Sequence, residues 1–534
     1  MKRIYIKTWA QLKPYNSTSI TDTYYLGIAN RIYRVLQTEY DFVLNMYLEK
    51  KELEMLSCFL ASYFEDIISQ TNVWGSFVKK HRELYGKNLP FYELDDYYEE
   101  EINLQDIVFL IWYFMNTVQH EMFISPHNTF MFQIADRVME ILEDEYEYAP
   151  ENRILKNFYT LDETETDYYE IRNFIDTVLF KTYLFFPDTG LKLIWGEAEL
   201  VEEVDENLLG YLQEMRDDMV HQSHTSLLGL QGKQWAAVIL WEHPLKDDFL
   251  AMSPRLNGFF LYKGQDEEYV YLEHIASGRK FELLKCSFNS HEELTETDTI
   301  VYLGMVRWKN QWWFSGISFS KEFDADLVLD EKNSISSRMR VNFLEEDADI
   351  IEDVLRKQQA AFLNFNKGAP IAFLKPYEID TFVNEFQLQY QKDLGLSTEE
   401  IKNAHERGKK EGFLGGEHND NKNNFGDDFE VATCFFNPNS GIELAMDVCH
   451  AFPVANNPYF EKSKSEDDIM EVLINPEIST ELAEYCIELA KDKLPFFKDG
   501  KGALFFEDMD FLLRFWKKEN YFTKPNISLT GRSK

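Results

Sequence analysis

The sequence predicts an α+β, mostly helical, multi-domain protein with a central small antiparallel β-sheet or SH3-like barrel and a second β-hairpin near the carboxyl terminus. Three observations carry this. Between Pro254 and Ser320 lie short runs rich in Tyr, Val, Ile, Phe and Trp, separated by Gly, Asn, Asp and Ser, which is the pattern of short strands and tight turns. On both sides of that island the apolar residues recur at helical spacing. Near the carboxyl end, Glu430 to Phe436 and Ile442 to Met446 frame Asn437-Pro438-Asn439-Ser440-Gly441, a turn sequence between two strand-like runs. The division expected is a helical domain over 1–240, a β module over 241–330, and a helical α+β domain over 331–534 with its hairpin at 430–446.

The helical part opens with Ile4, Tyr5 and Ile6, read as a short extended start. Ser19 to Asp22 supply a cap, and Tyr25, Ile28, Ala29, Ile32, Val35 and Leu36 follow on one helical face. Leu53, Leu56, Leu60, Phe64 and Ile67 make a second face. Leu104 to Phe123 is apolar nearly all round, the signature of a helix covered on every side. Ser125-Pro126 opens a helix burying Phe130, Ile134, Val138, Ile141 and Leu142, and Ile171 to Phe185 makes another. Glu199 to Leu228 reads as helical, and Gln234 to Trp241 as an apolar run leading into the β region. After Ser334 helices resume. Gly368-Ala369-Pro370 breaks the run, and Pro376 opens a helix through Phe382, Phe386 and Tyr390. Ser397-Thr398-Glu399-Glu400 starts a helix with a capping box. Gly408 to Asp428, rich in Gly, Asn and Asp, is the most linker-like stretch.

With 54 Lys and Arg against 93 Asp and Glu, the formal charge is −39. That disfavours direct nucleic-acid binding, which needs cations to displace the phosphate counterions, and anionic membrane surfaces likewise. It favours a basic protein partner, drawn in over a Debye length of about 8 Å. The Ile107–Met115 run is too short for a membrane span of about 20 residues. Five scattered cysteines and a start without an apolar signal segment fit a cytoplasmic setting. Two acidic, Tyr-rich patches, at 95–101 and 143–170, read as solvated loops or as a docking surface.

Candidate site residues fall into three groups. Trp308, Trp312 and Trp313, with Arg307 and Lys309 beside them, could line a binding surface at the end of the sheet; neighbouring strand residues point to opposite faces, so at least one belongs to the core. Asp217, His221 and His224, spaced i, i+4, i+7, share one helix face and are candidates for a transition-metal set, the alternative being a polar face near a helix end. Cys434, Cys449 and His450 would serve a thiol nucleophile or a metal, the alternative being structural core cysteines. No motif calls for a cofactor: the phosphate-loop, calcium-loop and His-Glu-x-x-His spacings are missing.

The opening residues Ile4-Tyr5-Ile6-Lys7-Thr8-Trp9, Leu12-Lys13-Pro14-Tyr15 and Thr21-Asp22-Thr23-Tyr24-Tyr25-Leu26 resemble the start of an uncharacterised bacterial family, a domain of unknown function typical of Bacteroides-like bacteria. Tyr302-Leu303-Gly304, Trp312-Trp313, Ser315-Gly316 and the hairpin around Asn437-Pro438 are similar to it as well. The resemblance implies a bacterial, cytoplasmic protein and brings no catalytic residues. The β island is also similar to small barrels beside SecA-type zinc motifs, but lacks their Cys-x-Cys ligands, so no zinc is implied. The expectation is a non-enzymatic cytosolic interaction or scaffold protein. The alternative is a hydrolase or nuclease with a His/Asp or Cys/His site.

Overall fold

The computed structural model describes residues 3–523 except 16–17, 93–95, 120–121, 205–206, 335–336, 338–347 and 411–428. Asp95 of the first acidic patch and most of the linker-like stretch at 408–428 lie outside the described residues.

A buried helix organises the molecule. The amino-terminal helices α1 (Asp22–Glu39), α2 (Lys50–Ser69) and α3 (Val73–Tyr85) pack with α4 (Leu104–Val118), whose residues from Ile107 to Met115 are all buried. A helix apolar on every face leaves no side for water, so it sits in the middle. Phe59 packs on Phe114 and Phe77 on Phe109, with ring centroids 5.4 and 5.2 Å apart. Helices α5 (Thr129–Glu145), α6 (Tyr168–Lys181), α7 (Leu191–Glu203), α8 (Leu208–Gln222) and α9 (Gly232–Ile239) complete the amino-terminal part. One local expectation is corrected here: the start is helical from Ile6 to Ala10 and not extended. The apolar run before the β region forms α9, its buried Trp235, Ala236 and Ile239 spaced as a helix face.

The β island forms a closed five-stranded barrel of β1 (Leu256–Gln265), β2 (Tyr269–His274), β3 (Lys280–Leu284), β4 (Ile300–Trp308) and β5 (Gln311–Lys321) in the order 1-2-3-5-4. Its pairings are antiparallel except for the β3–β5 contact that closes it. Strand β2 alternates half-buried and buried residues, as a strand with one face on the core must. Helix α10 (Ala325–Asn333) follows the barrel.

The second sheet, β6 (Ile371–Leu374), β7 (Ala432–Asn437) and β8 (Gly441–Met446), is antiparallel. It packs with α11 (Ala348–Phe365) and α12 (Ile379–Asp393) around Phe362, Phe386 and Phe436. The hairpin stands where the turn sequence placed it. Strand β6 was legible only as a gap between a Gly-Ala-Pro break and a helix, because four residues are too few to show alternation.

The last helices, α13 (Ser465–Ile474), α14 (Thr480–Ala490) and α15 (Met509–Trp516), join the amino-terminal core. Phe511 and Phe515 lie against Trp112 of α4, at 6.1 and 5.1 Å between centroids. Just beyond α15, Lys518 pairs with buried Asp188, and Glu519 with Lys192 and His224. The core that begins at Ile4 thus runs through to Tyr521, across the boundary expected at 330/331. No helix among the described residues is long and apolar enough to cross a membrane.

Candidate functional site

Among the described residues two places stand out as candidate sites. The first is a cleft of about 640 Å³ at the end of the second sheet. Strand β8 ends at Met446, and the next residue, Asp447, has a φ of 53° that turns the chain sharply and a carboxylate that accepts the backbone N–H groups of Glu430 and Val431 at 2.8 and 3.1 Å. The chain then makes a 3-10 turn over Cys449–Ala451. That turn, in place of a continuing strand, brings Cys449 and His450 to the same side. Asp468, in the first turn of α13, accepts the backbone N–H of His450 at 2.7 Å. One ligand atom each of Cys449, His450 and Asp468 lies within 4.8 Å of the others.

The charges of this cleft shape its chemistry. Burial, together with the carboxylates of Asp468 and Asp447, pushes the Cys449 thiol up to about 11. Burial also raises the Asp468 carboxyl, with the His450 backbone N–H opposing. The backbone N–H of Glu461 donates to Nδ1 of His450 at 3.0 Å. A backbone amide only donates, so Nδ1 is the accepting nitrogen of a neutral ring and Nε2 carries the proton. A thiol enzyme needs that accepting nitrogen turned toward its cysteine. Here it is already engaged.

The second place is the outer face of α7. Ile194, Ala198 and Val201 stand in line at helical spacing with Trp195 beside them, and all four are exposed. Trp195 is 56% exposed and Val201 58%. Exposed Glu199, Glu202 and Glu203 edge the stripe. Leu209 and Tyr211, at the start of α8, are 82% and 50% exposed. Away from the stripe α7 is held by buried Leu193 and by the packing of α8, while buried Leu191 anchors the first turn of the helix.

Of the residues singled out in the sequence, Cys449 and His450 lie in the cleft, and the others lie elsewhere. Trp308 is fully buried between barrel and helices; its Nε1 donates to the Thr166 carbonyl at 3.2 Å and its ring meets Phe249. Trp312 is half-buried against Phe281 of the barrel core, with the Arg307 guanidinium 5.9 Å from its centroid. Trp313 is half-buried against Tyr168 and Tyr169 of α6. The three rings face three neighbours and share no common surface, because β-alternation sends 312 and 313 apart and 308 closes the junction to the body.

Asp217 and His221 lie near the carboxyl end of α8, but the helix stops at Gln222, so His224 falls beyond it and not on the shared face its spacing predicts, and the three turn to different partners. Asp217 accepts from Arg172 at 2.6 Å, His221 Nε2 meets the Tyr168 hydroxyl at 2.8 Å, and His224 Nδ1 meets Glu519 at 3.1 Å. They staple α8 to α6 and to the carboxyl end, and are not a gathered ligand set. Cys434 is buried on β7 in the core of the second sheet and is not part of the cleft lining. All five cysteines are free thiols.

Sequence reasoning missed Trp195 and Asp468. The α7 stretch carries apolar residues on two opposite faces, Leu193 and Leu200 on one and Ile194, Ala198 and Val201 on the other. That doubling is the signal of an exposed apolar face. For Asp468, the only local signal is Ser465 followed by three acidic residues, the pattern of a helix start, and nothing in it points to the approach to Cys449.

A helical body carrying a small closed barrel and a second small sheet is thus the class of molecule the fold defines. The family model described as Protein of unknown function (DUF3843) matches residues 3–274, and the chain belongs to that family. The match spans the amino-terminal helices and ends with β2 of the barrel. None of the curated proteins matches the chain, and neither does any solved structure.

Proposed function

We propose that the protein is an interaction protein whose α7 face docks a basic, amphipathic helix of a protein partner. The exposed apolar stripe of Ile194, Trp195, Ala198 and Val201 carries this reading. An apolar stripe at helical spacing fits the apolar face of another helix, and a central exposed Trp is the residue type that most often anchors such a contact. The occupant is basic because the edge of the stripe is Glu199, Glu202 and Glu203 and the chain carries a charge of −39. Electrostatic complementarity of this kind sets partner choice and association rate. The reading of a thiol hydrolase at Cys449 and His450 is disfavoured by the Glu461 amide on the imidazole's accepting nitrogen.

A photo-crosslinking amino acid placed at Ala198, in the full chain and in native lysate, tests this. The expected result is one discrete adduct whose captured segment carries apolar residues at i, i+3, i+4 and i+7 with Lys or Arg on the flanking faces. It weakens at high salt and disappears with Trp195→Ala. No adduct, an acidic captured segment, or an adduct indifferent to Trp195→Ala would overturn the proposal.

A further inference from the structure

The cleft holds a second, independent possibility for binding. We propose that Cys449, His450 and Asp468 form a coordination site for one divalent transition cation of the zinc class, open to the cleft on its remaining side. The geometry carries the argument. A sulfur, a nitrogen and an oxygen donor already lie within 4.8 Å of one another. Donors around a tetrahedral ion with bonds of about 2.0–2.3 Å stand about 3.3–3.8 Å apart, so the three have roughly 1 Å to close. The 3-10 turn at 449–451 and the first turn of α13 hold them in register through the His450 N–H to Asp468 bond.

The donor types choose the ion. A thiolate with an imidazole is a poor set for calcium or magnesium, which take oxygen, and a good one for zinc. The walls add charge of the right sign: Glu430, Asp447, Glu461 and Asp468 against Lys375 and Lys464. Lys375 is partly occupied, donating to the Glu430 carbonyl at 3.2 Å and lying over the Tyr459 ring. Three protein ligands with a fourth position facing a cleft is the arrangement of a zinc that keeps an exchangeable position for water or a ligand.

The imidazole adds a consequence. If Nδ1 binds the ion, its lone pair leaves the Glu461 amide. If Nε2 binds, its proton must go and the neutral ring carries its proton on Nδ1, which then cannot accept. Either way, loading breaks the Glu461 N–H to His450 bond and releases the wall segment that carries Tyr459 and Phe460. Metal binding and the shape of the cleft are therefore coupled.

The test uses the full chain, stripped with a chelator and reloaded with zinc alone or cobalt alone. The site predicts one zinc per chain retained through gel filtration, and a near-ultraviolet thiolate-to-cobalt band. Cys449→Ser abolishes the band, and Cys449→Ser and Asp468→Asn each weaken zinc binding by about tenfold or more with melting behaviour otherwise preserved. Cys286→Ser, at the exposed thiol outside the cleft, changes neither. Hydrogen exchange at the Glu461 amide quickens on loading. A chain that retains no zinc, a cobalt band that survives Cys449→Ser, or one lost in Cys286→Ser would overturn the site. None of these outcomes bears on the α7 surface, whose own test is separate.

Discussion

At residue scale, the buried ionisable groups of the helical body are structural, and they set opposite pH dependences. His221 is held neutral by burial, with Arg255, Arg172 and Lys233 also opposing its charge, and its pKa falls to about 3. The unfolded chain, with an ordinary value near 6.5, binds more protons than the native state between those limits. Its contribution to stability is therefore present above about pH 6.5 and lost as pH falls toward 3. Asp106 sits in the first turn of α4, where burial raises its carboxyl to about 7 although Tyr63, Asn103 and Tyr97 hydrogen-bond to it. Here the native state binds more protons between about 4 and 7. The contribution is complete below about pH 4 and lost as pH rises through 7. Thermal melts from pH 4.5 to 8 should show His221→Gln removing part of the acid-side loss and Asp106→Asn removing part of the alkaline-side loss. Parallel curves for wild type and variants would refute this assignment. The spacing of Asp217, His221 and His224 was legible from the sequence, but their partners Arg172, Tyr168 and Glu519 were not. Helical periodicity says which residues share a face, and says nothing of what the face meets.

At the scale of elements, the barrel was the most legible part, because period-two burial and turn residues are local signals. Its docking was hidden. Arg255 is fully buried at the mouth of the barrel and pairs with Glu214 and Asp218 of α8, at 2.7 and 3.1 Å, while also donating to the Ser315 carbonyl. Gly304 and Gly316 leave room for it: a Cβ on either would meet the Arg255 guanidinium, and on Gly316 also the Glu214 carboxylate. Gly316 has a φ of +88° besides, which L side chains avoid. Gly316→Ala should therefore cost about 2 kcal/mol or more, and Arg255→Ala about 3–5 kcal/mol by leaving Glu214 uncompensated. Denaturant melts read both, and losses under about 0.5 kcal/mol would contradict this account of the junction. The α7 face and the 449–468 cleft were poorly legible for a related reason. The first shows only as apolar residues on two sides of one helix. The second joins a turn to a helix start 18 residues on.

At the scale of the molecule, the carboxyl end closes the amino-terminal core. Phe511 lies 5.6 Å from Phe91 and 6.0 Å from Phe109 between ring centroids, so α15 completes the wall around α4. Phe511→Ala should cost about 3–5 kcal/mol and destabilise the amino-terminal helices themselves. Hydrogen exchange within α4 should accelerate with it; exchange rising only after residue 430 would show the two ends to be independent. That shared core gives α7 a rigid seat, with Lys192 of α7 paired to Glu519. The most direct measurement is the affinity of the captured partner segment, as a synthetic peptide, for wild type and Trp195→Ala by calorimetry at low and high salt. Saturable binding at one site is expected, weakened by salt and weakened by about 2 kcal/mol, roughly thirtyfold, in Trp195→Ala. Equal affinities for the two proteins would contradict docking on the α7 face.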